Sequence, residues 1–212
     1  MRKWKKLLLP AMCAFMLQIP VIVNAEAVDS SNNVTSAVET PVATPTPALL
    51  DGIVKKGSRT YFYKNGVMQK NCWSPDKKQY FGKNGVAYAA PKVSGCKKNI
   101  VVKKIGKKYY GFDRNGFKVK KGVYADAKGT PYYFDKKGVR VAKKSNQLKA
   151  ASKNKADGAV LRKLLGRPSK TKTLSSCMTG ISKDLKLTYA NIFVQLGKKI
   201  TGGEIVYGVQ AR

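Results

Sequence analysis

The sequence contains no histidine and few acidic residues, and each shortage excludes a class of function. Without histidine, Ser-His-Asp and Cys-His catalysis and histidine-ligated metal sites are excluded. The 212 residues include 11 Asp and Glu against 42 Lys and Arg, and the C-terminal carboxylates are too scattered to form a pair for acid–base chemistry. We therefore predict that the chain is not an enzyme and that it uses neither a cofactor nor a metal ion.

Long hydrophobic runs are scarce as well, and the main one lies at the N-terminus. Residues 7–23 carry no charge and follow a basic stretch at residues 2–6. Small residues suited to signal peptidase lie at Val23-Asn24-Ala25, and Ala25-Glu26-Ala27 offers a second option. This order is typical of a secretory signal peptide, which we assign to residues 1–27. The run is short for a membrane anchor and contains Pro10. We expect a secreted protein of the cell wall or extracellular surface, with no stable membrane span once the signal is removed.

Residues 28–50 contain neither lysine nor arginine and are rich in threonine, alanine and proline. Such a composition buries too little apolar surface to fold, and its prolines favour an extended spacer. The segment is predicted to be a disordered linker.

The rest of the chain is strongly basic. Residues 51–212 hold 38 Lys and Arg against eight Asp and Glu, and lysine outnumbers arginine 35 to 7 in the whole sequence. A positive electrostatic field attracts polyanions. Lysine contributes a hydrated point charge, whereas arginine makes the planar bidentate contacts of specific recognition. Export and the absence of a recognition motif argue against nucleic acid. The predicted polyanion-binding residues are the doublets Lys77, Lys78, Lys103, Lys104, Lys107, Lys108, Lys120 and Lys121.

An internal repeat covers residues 51–145. It aligns on four glycines, each preceded by a phenylalanine four residues earlier, at spacings of 19, 31 and 22 residues. Asparagine and glycine after an aromatic run predict a tight hairpin turn. Each hairpin is too small to stand alone, so we predict a mainly β fold in which neighbouring hairpins stack as a solenoid. The phenylalanines share one phase and are predicted core residues, and the pairs are Phe62 with Gly66, Phe81 with Gly85, Phe112 with Gly116, and Phe134 with Gly138.

The run Gly129-Thr130-Pro131-Tyr132-Tyr133-Phe134-Asp135-Lys136-Lys137-Gly138 resembles the cell-wall-binding repeats of choline-binding and glucan-binding surface proteins of bacteria. In that family, hairpins of about twenty residues stack on one another. The resemblance implies aromatic cages for choline on teichoic acid, or aromatic platforms for glucan.

The tryptophan position of those repeats is only partly kept. It holds Val54, Trp73, Val102 and Tyr124, which speaks against complete cages because a cage needs several aromatic faces. Trp73, Tyr88 and Tyr124 either contact a ligand or pack internally, and the repeat tyrosines have the same two alternatives. The candidate ligand-binding residues are Trp73, Tyr80, Tyr88, Tyr124, Tyr132 and Tyr133.

Two cysteines, Cys72 and Cys96, flank the second repeat unit. Secretion would permit a disulfide between them, although the sequence leaves their distance open. Cys177 would then remain unpaired, as a small thiol without a histidine base.

The C-terminal region is predicted to be a second, smaller domain. Residues 146–155 form a polar linker, and a helix over Ala156 to Leu165 ends at Gly166. Alternating apolar residues then predict four strands, with a hairpin turn at Ala190-Asn191 where the alternation changes parity. For residues 156–212 we therefore expect an α+β domain with one helix on a four-stranded antiparallel sheet.

The stretch 161–168 followed by strands resembles the helix-plus-sheet domains of envelope lipoproteins and β-lactamase inhibitor protein, which implies protein binding. Two functions follow. One is noncovalent attachment of a secreted protein to a cell-wall polymer (teichoic acid, peptidoglycan or glucan) through basic aromatic repeats. The alternative is an inhibitor or interaction module, in which the C-terminal domain contacts another protein and the repeats anchor it.

Overall fold

The computed structural model describes residues 49–212, which form a mainly β structure with two helices. The predicted signal peptide and nearly all of the predicted linker 28–50 lie outside these residues. The first half consists of small antiparallel sheets, each built from strands that are adjacent in sequence. The first has three strands: β1 (Gly52–Lys56), β2 (Arg59–Lys64) and β3 (Val67–Met68). Three two-stranded sheets follow: β4 (Cys72–Trp73) with β5 (Tyr80–Phe81), β6 (Val101–Ile105) with β7 (Lys108–Phe112), and β8 (Gly122–Ala125) with β9 (Pro131–Phe134).

The repeat phenylalanines form the interior of these hairpins, as predicted. Phe81, Phe112 and Phe134 are fully buried, and the partly buried Phe62 packs on Phe81 with 5.7 Å between ring centroids. Each of them lies at or near the end of the second strand of its hairpin. The repeat therefore places one large apolar side chain per unit at an equivalent position.

Backbone hydrogen bonds join successive hairpins. Ala87 N donates to Thr60 O at 2.9 Å, Lys118 N to Lys78 O at 2.8 Å, and Arg140 N to Tyr109 O at 2.8 Å. Each bond links a unit to the one before it. The mainly β class is thereby confirmed, while a regular solenoid stays a prediction.

The four repeat glycines all lie in the left-handed region, with φ between 73° and 82°. At Gly138 the surroundings are tight as well, because a Cβ would lie 2.7 Å from Val119 O. We expect Gly138→Ala to lower the free energy of unfolding by about 3 kcal/mol, from backbone strain and this clash together. Urea denaturation measures the effect.

Gly106 provides the matched control for Gly138. It has φ of 59° in the β6–β7 turn, with nothing within 4 Å of an added Cβ. Gly106→Ala should cost only about 1 kcal/mol, which is the backbone strain alone. Equal losses in the two variants would contradict the close packing at Gly138.

The second half contains two helices and one larger sheet. The helices are α1 (Ala142–Ala151) and α2 (Gly158–Leu165). The sheet contains β10 (Lys170–Ser175), β11 (Ile181–Thr188), β12 (Ile192–Lys199) and β13 (Glu204–Ala211), antiparallel and in sequence order. The predicted four-stranded antiparallel sheet is confirmed.

The predicted single helix is corrected to two, because α1 occupies much of the segment expected to be the linker 146–155. Leu148 and Ala151 are buried on one face of α1, which packs against β9. Ser145 fixes its first turn, since its hydroxyl accepts from Tyr133 N at 3.1 Å and donates to Val141 O at 2.8 Å. The polar composition of this segment concealed the helix from sequence reasoning.

One hydrophobic core spans both halves of the described chain. It joins Ala125 of β8, Leu148 of α1, Leu161 of α2 and the inward residues of the large sheet, such as Leu187 and Val194. The last repeat hairpin and the C-terminal sheet therefore bury surface against the same interior.

Candidate functional site

Five aromatic side chains from the second and third repeat units meet in one group, which we call the aromatic cluster. Its members are Trp73, Tyr80, Tyr88, Tyr110 and Phe112. The Trp73 ring lies edge-to-face at 5.2 Å from Tyr80 and 5.1 Å from Tyr110, and Tyr80 stacks on Tyr88 at 5.4 Å. These separations are typical of favourable aromatic pairs. Three of the six candidate ligand-binding residues are thus brought together.

Lysine side chains cover the cluster from outside. Lys118 Nζ lies 4.7 Å from the Trp73 ring centroid and 5.7 Å from that of Tyr110, and Lys103 Nζ lies 5.4 Å from that of Tyr88. These are cation–π distances. The electron-rich ring faces are therefore already in contact with cations of the chain itself.

The other three candidate aromatic residues lie apart from the cluster. Tyr124 packs edge-to-face on Phe134 at 6.1 Å, and burial, first among several causes, raises its pKa. Lys149 and Lys144 of α1 approach the rings of Tyr132 and Tyr133, at 4.4 Å and 3.9 Å from the centroids. Tyr132 and Tyr133 therefore support the packing of α1.

A second feature, the basic cleft, adjoins the cluster. It has a volume of about 460 Å³ and forms where the third repeat unit meets the insertion before β6 and the turn between β11 and β12. Its lining residues are Lys97, Lys98, Asp113, Arg114, Asn115, Lys118, Val119, Lys120, Tyr124 and Asn191. Five of these carry a positive charge and one carries a negative charge.

Hydrogen bonds to the backbone position the charged groups of the cleft. Lys98 Nζ donates to Ala190 O at 2.8 Å, and Arg114 Nη1 donates to Cys96 O at 2.9 Å. Both cations keep further N–H groups free to donate to a ligand. The cleft thus has a preformed geometry, held by contacts between segments distant in sequence.

The single carboxylate of the cleft is already engaged. Asp113 Oδ1 accepts from Asn115 N and Phe117 N, both at 2.9 Å, as part of the turn that ends in Gly116. Within residues 49–212 the ion pairs are Lys78 with Asp76, and Arg162 with Glu204. The cleft cations therefore converge without a carboxylate partner, which is an environment that favours an anionic ligand.

The charge density affects Lys118 in particular. Burial lowers its pKa first, and the neighbouring Lys120 and Lys77 lower it further. The protonated form is thus less favoured than in a free lysine, and an anion bound in the cleft would raise the pKa of Lys118 again.

The predicted polyanion-binding lysines divide into several groups. Lys120 lines the cleft, whereas Lys78 pairs with Asp76 at 3.3 Å. The lysines of β6, the β6–β7 turn and β7 are exposed on that hairpin. Sequence reasoning did not single out Arg114, Lys118 or Asn191 as binding residues, since their convergence comes from contacts distant in sequence.

The sequence left open whether Cys72 and Cys96 form a bridge, and in this structure both cysteines are free. Cys72 is held opposite Phe81 in the β4–β5 ladder, while Cys96 packs against the core shared with the C-terminal sheet. Burial raises the pKa of the Cys72 thiol.

The described residues contain no group of three or more Cys, Asp or Glu side chains suited to a metal ion. Among the same residues, neither helix has the length and apolar character that crossing a membrane would require.

Comparisons with known proteins give weak likenesses. No family model and no curated protein matches the chain. Truncated alternansucrase from Leuconostoc mesenteroides is 25% identical over 43% of this chain and 8% of that chain, with a TM-score of 0.34. Alternansucrase in complex with isomaltononaose and with isomaltotriose is 17% identical in each case, over 73% of this chain and 10% of those chains. Those TM-scores are 0.20 and 0.19.

The chain thus spans at most a tenth of the length of these structures. Likenesses with such TM-scores do not establish a common fold.

Proposed function

We propose that this chain is a secreted protein that attaches noncovalently to an anionic polymer of the bacterial cell envelope, with the basic cleft as its principal binding site. The role is one of binding, with no chemical step. The stacked hairpins act as the scaffold, and the backbone bonds between successive units support a solenoid-like arrangement of that scaffold.

The observation that carries the proposal is that five cationic side chains line one cleft, whose single carboxylate already accepts two backbone hydrogen bonds. Lysine predominates among them, which suits a chain of repeated charges better than a single planar group. A phosphodiester polymer such as teichoic acid supplies regularly spaced anions that several lysines neutralise together. Uncharged glucan and peptidoglycan sugars would gain less from this cleft, since they offer it no charge.

Salt dependence tests the electrostatic character of binding. With about five neutralised phosphates, affinity for poly(glycerol phosphate) should fall by roughly two orders of magnitude between about 50 mM and 200 mM salt. Dextran, a neutral glucan of similar length, is the control ligand. Titration calorimetry at four salt concentrations measures the slope, and tight salt-insensitive binding to dextran would overturn the proposal.

The alternative function, a protein-binding C-terminal module, has one observation in its favour. The face of the large sheet away from the core carries Phe193 beneath Lys186 Nζ, at 4.4 Å from the ring centroid, and Tyr207, whose hydroxyl donates to Asp184 at 3.0 Å. Lys172 and Lys186 lie directly opposite each other in the ladder, a like-charge pair that an anionic partner would stabilise. Phe193→Ser should abolish capture of such a partner while leaving polymer binding intact.

A further inference from the structure

Lys118 belongs to both the aromatic cluster and the basic cleft. It lines the cleft, and its ammonium lies 4.7 Å from the Trp73 ring centroid. Its backbone is fixed, because Lys118 N donates to Lys78 O at 2.8 Å and the residue bridges to Phe112. Only the outer part of the side chain can therefore move between the aromatic rings and a ligand in the cleft.

The rings supply the contact that an acidic residue would usually make. Lys118 has no carboxylate within ion-pair distance in the described residues, where the two ion pairs involve other side chains. The faces of Trp73 and Tyr110, set edge-to-face at 5.1 Å, attract a cation through their quadrupoles. The chain itself thus fills the position that an external organic cation would occupy.

We propose that Lys118 determines the ligand specificity of this region, because it excludes organic cations from the aromatic cluster and adds its own charge to the cleft for an anion. The second half of this inference rests on the proposed function, whereas the first half does not. The aromatic cluster then serves to position a cleft lysine.

Two substitutions separate these roles. Lys118→Met removes the charge but keeps a long side chain over Trp73, whereas Lys118→Ser removes the charge and opens the space. The sequence contains two tryptophans, and all variants carry Trp4→Phe. Trp73 is then the remaining tryptophan, and its emission reports on the aromatic rings around it. Lys64→Met, at the exposed end of β2, is the control for loss of one charge, since Lys64 does not line the cleft.

The probes are tetramethylammonium chloride and poly(glycerol phosphate), with sodium chloride at matched ionic strength as the reference. Only Lys118→Ser should show a saturable change in Trp73 emission with tetramethylammonium. Both Lys118 variants should bind the polyanion about fivefold more weakly and lower the slope of log affinity against log salt by about one, whereas Lys64→Met should do neither.

Each arm has an outcome that overturns its part of the inference. Tetramethylammonium binding to the parent chain as tight as to Lys118→Ser would show that Lys118 does not exclude cations. The same conclusion would follow if a Lys118→Ser variant with an unchanged circular dichroism spectrum bound no tetramethylammonium. Unchanged polyanion affinity in both Lys118 variants would overturn the cleft role. A parent chain that binds no polyanion would instead refute the proposed function, and the tetramethylammonium arm would still decide the first half.

Discussion

Replacing Lys97 and Lys120 together by glutamine is expected to weaken binding to poly(glycerol phosphate) about thirtyfold at low salt. Both side chains line the basic cleft and belong to exposed residues, so the double substitution removes two ligand-facing charges without disturbing packing. Each lysine that neutralises a phosphate contributes about 1 kcal/mol, and the removal of two such charges gives the expected factor. Titration calorimetry at about 50 mM salt is the measurement.

The control for this prediction removes the same charge elsewhere. Lys104 and Lys107 are exposed on the β6–β7 hairpin and do not line the cleft. Lys104→Gln with Lys107→Gln should weaken binding less than about threefold, since only the diffuse field is reduced. An equal loss of affinity in both double variants would show that the whole basic surface, rather than the cleft, binds the polymer.

Phe112→Ala is expected to lower the free energy of unfolding by about 4 kcal/mol. The side chain is fully buried, with its ring centroid 6.0 Å from that of Trp73 and 5.8 Å from that of Tyr88. Its removal leaves a void within the aromatic cluster, so Trp73 emission should change as well. Urea denaturation followed by circular dichroism measures the loss of stability.

Phe117 provides the comparison in the same repeat unit. It is 45% exposed and follows the turn glycine, at the position where the other three repeat units have valine. Phe117→Ala should cost less than about 1 kcal/mol. If both phenylalanine variants were equally stable, the assignment of the repeat phenylalanines to the interior would be wrong.

The local pattern of the sequence was sufficient for the hairpins and the large sheet. The Phe-to-Gly spacing predicted both the buried rings and the turns, because each depends on a few neighbouring residues. The parity change at Ala190-Asn191 likewise predicted the turn between β11 and β12. Periodicity of two residues encodes which face of a strand is buried, so such features are readable without a structure.

The features that depend on contacts between residues distant in sequence could not be predicted from the local sequence pattern. Leu148 and Ala151 of α1 are buried in a core that includes residues of the distant C-terminal sheet, while the composition of the helix itself is polar. The cleft was missed for the same reason, since Arg114 and Asn191 are brought together only by the packing of the repeats on the C-terminal sheet. The charge counts predicted a basic surface but did not indicate where on the fold the cations converge.

The hydrophobic core that joins the last repeat hairpin to the C-terminal sheet has a consequence for how the chain melts. Because Ala125, Leu148 and Leu187 belong to one buried core, removal of either half would expose apolar residues of the other. Scanning calorimetry should accordingly record a single endotherm for both halves, and fragments cut within α1 should be degraded rather than persist as separate pieces.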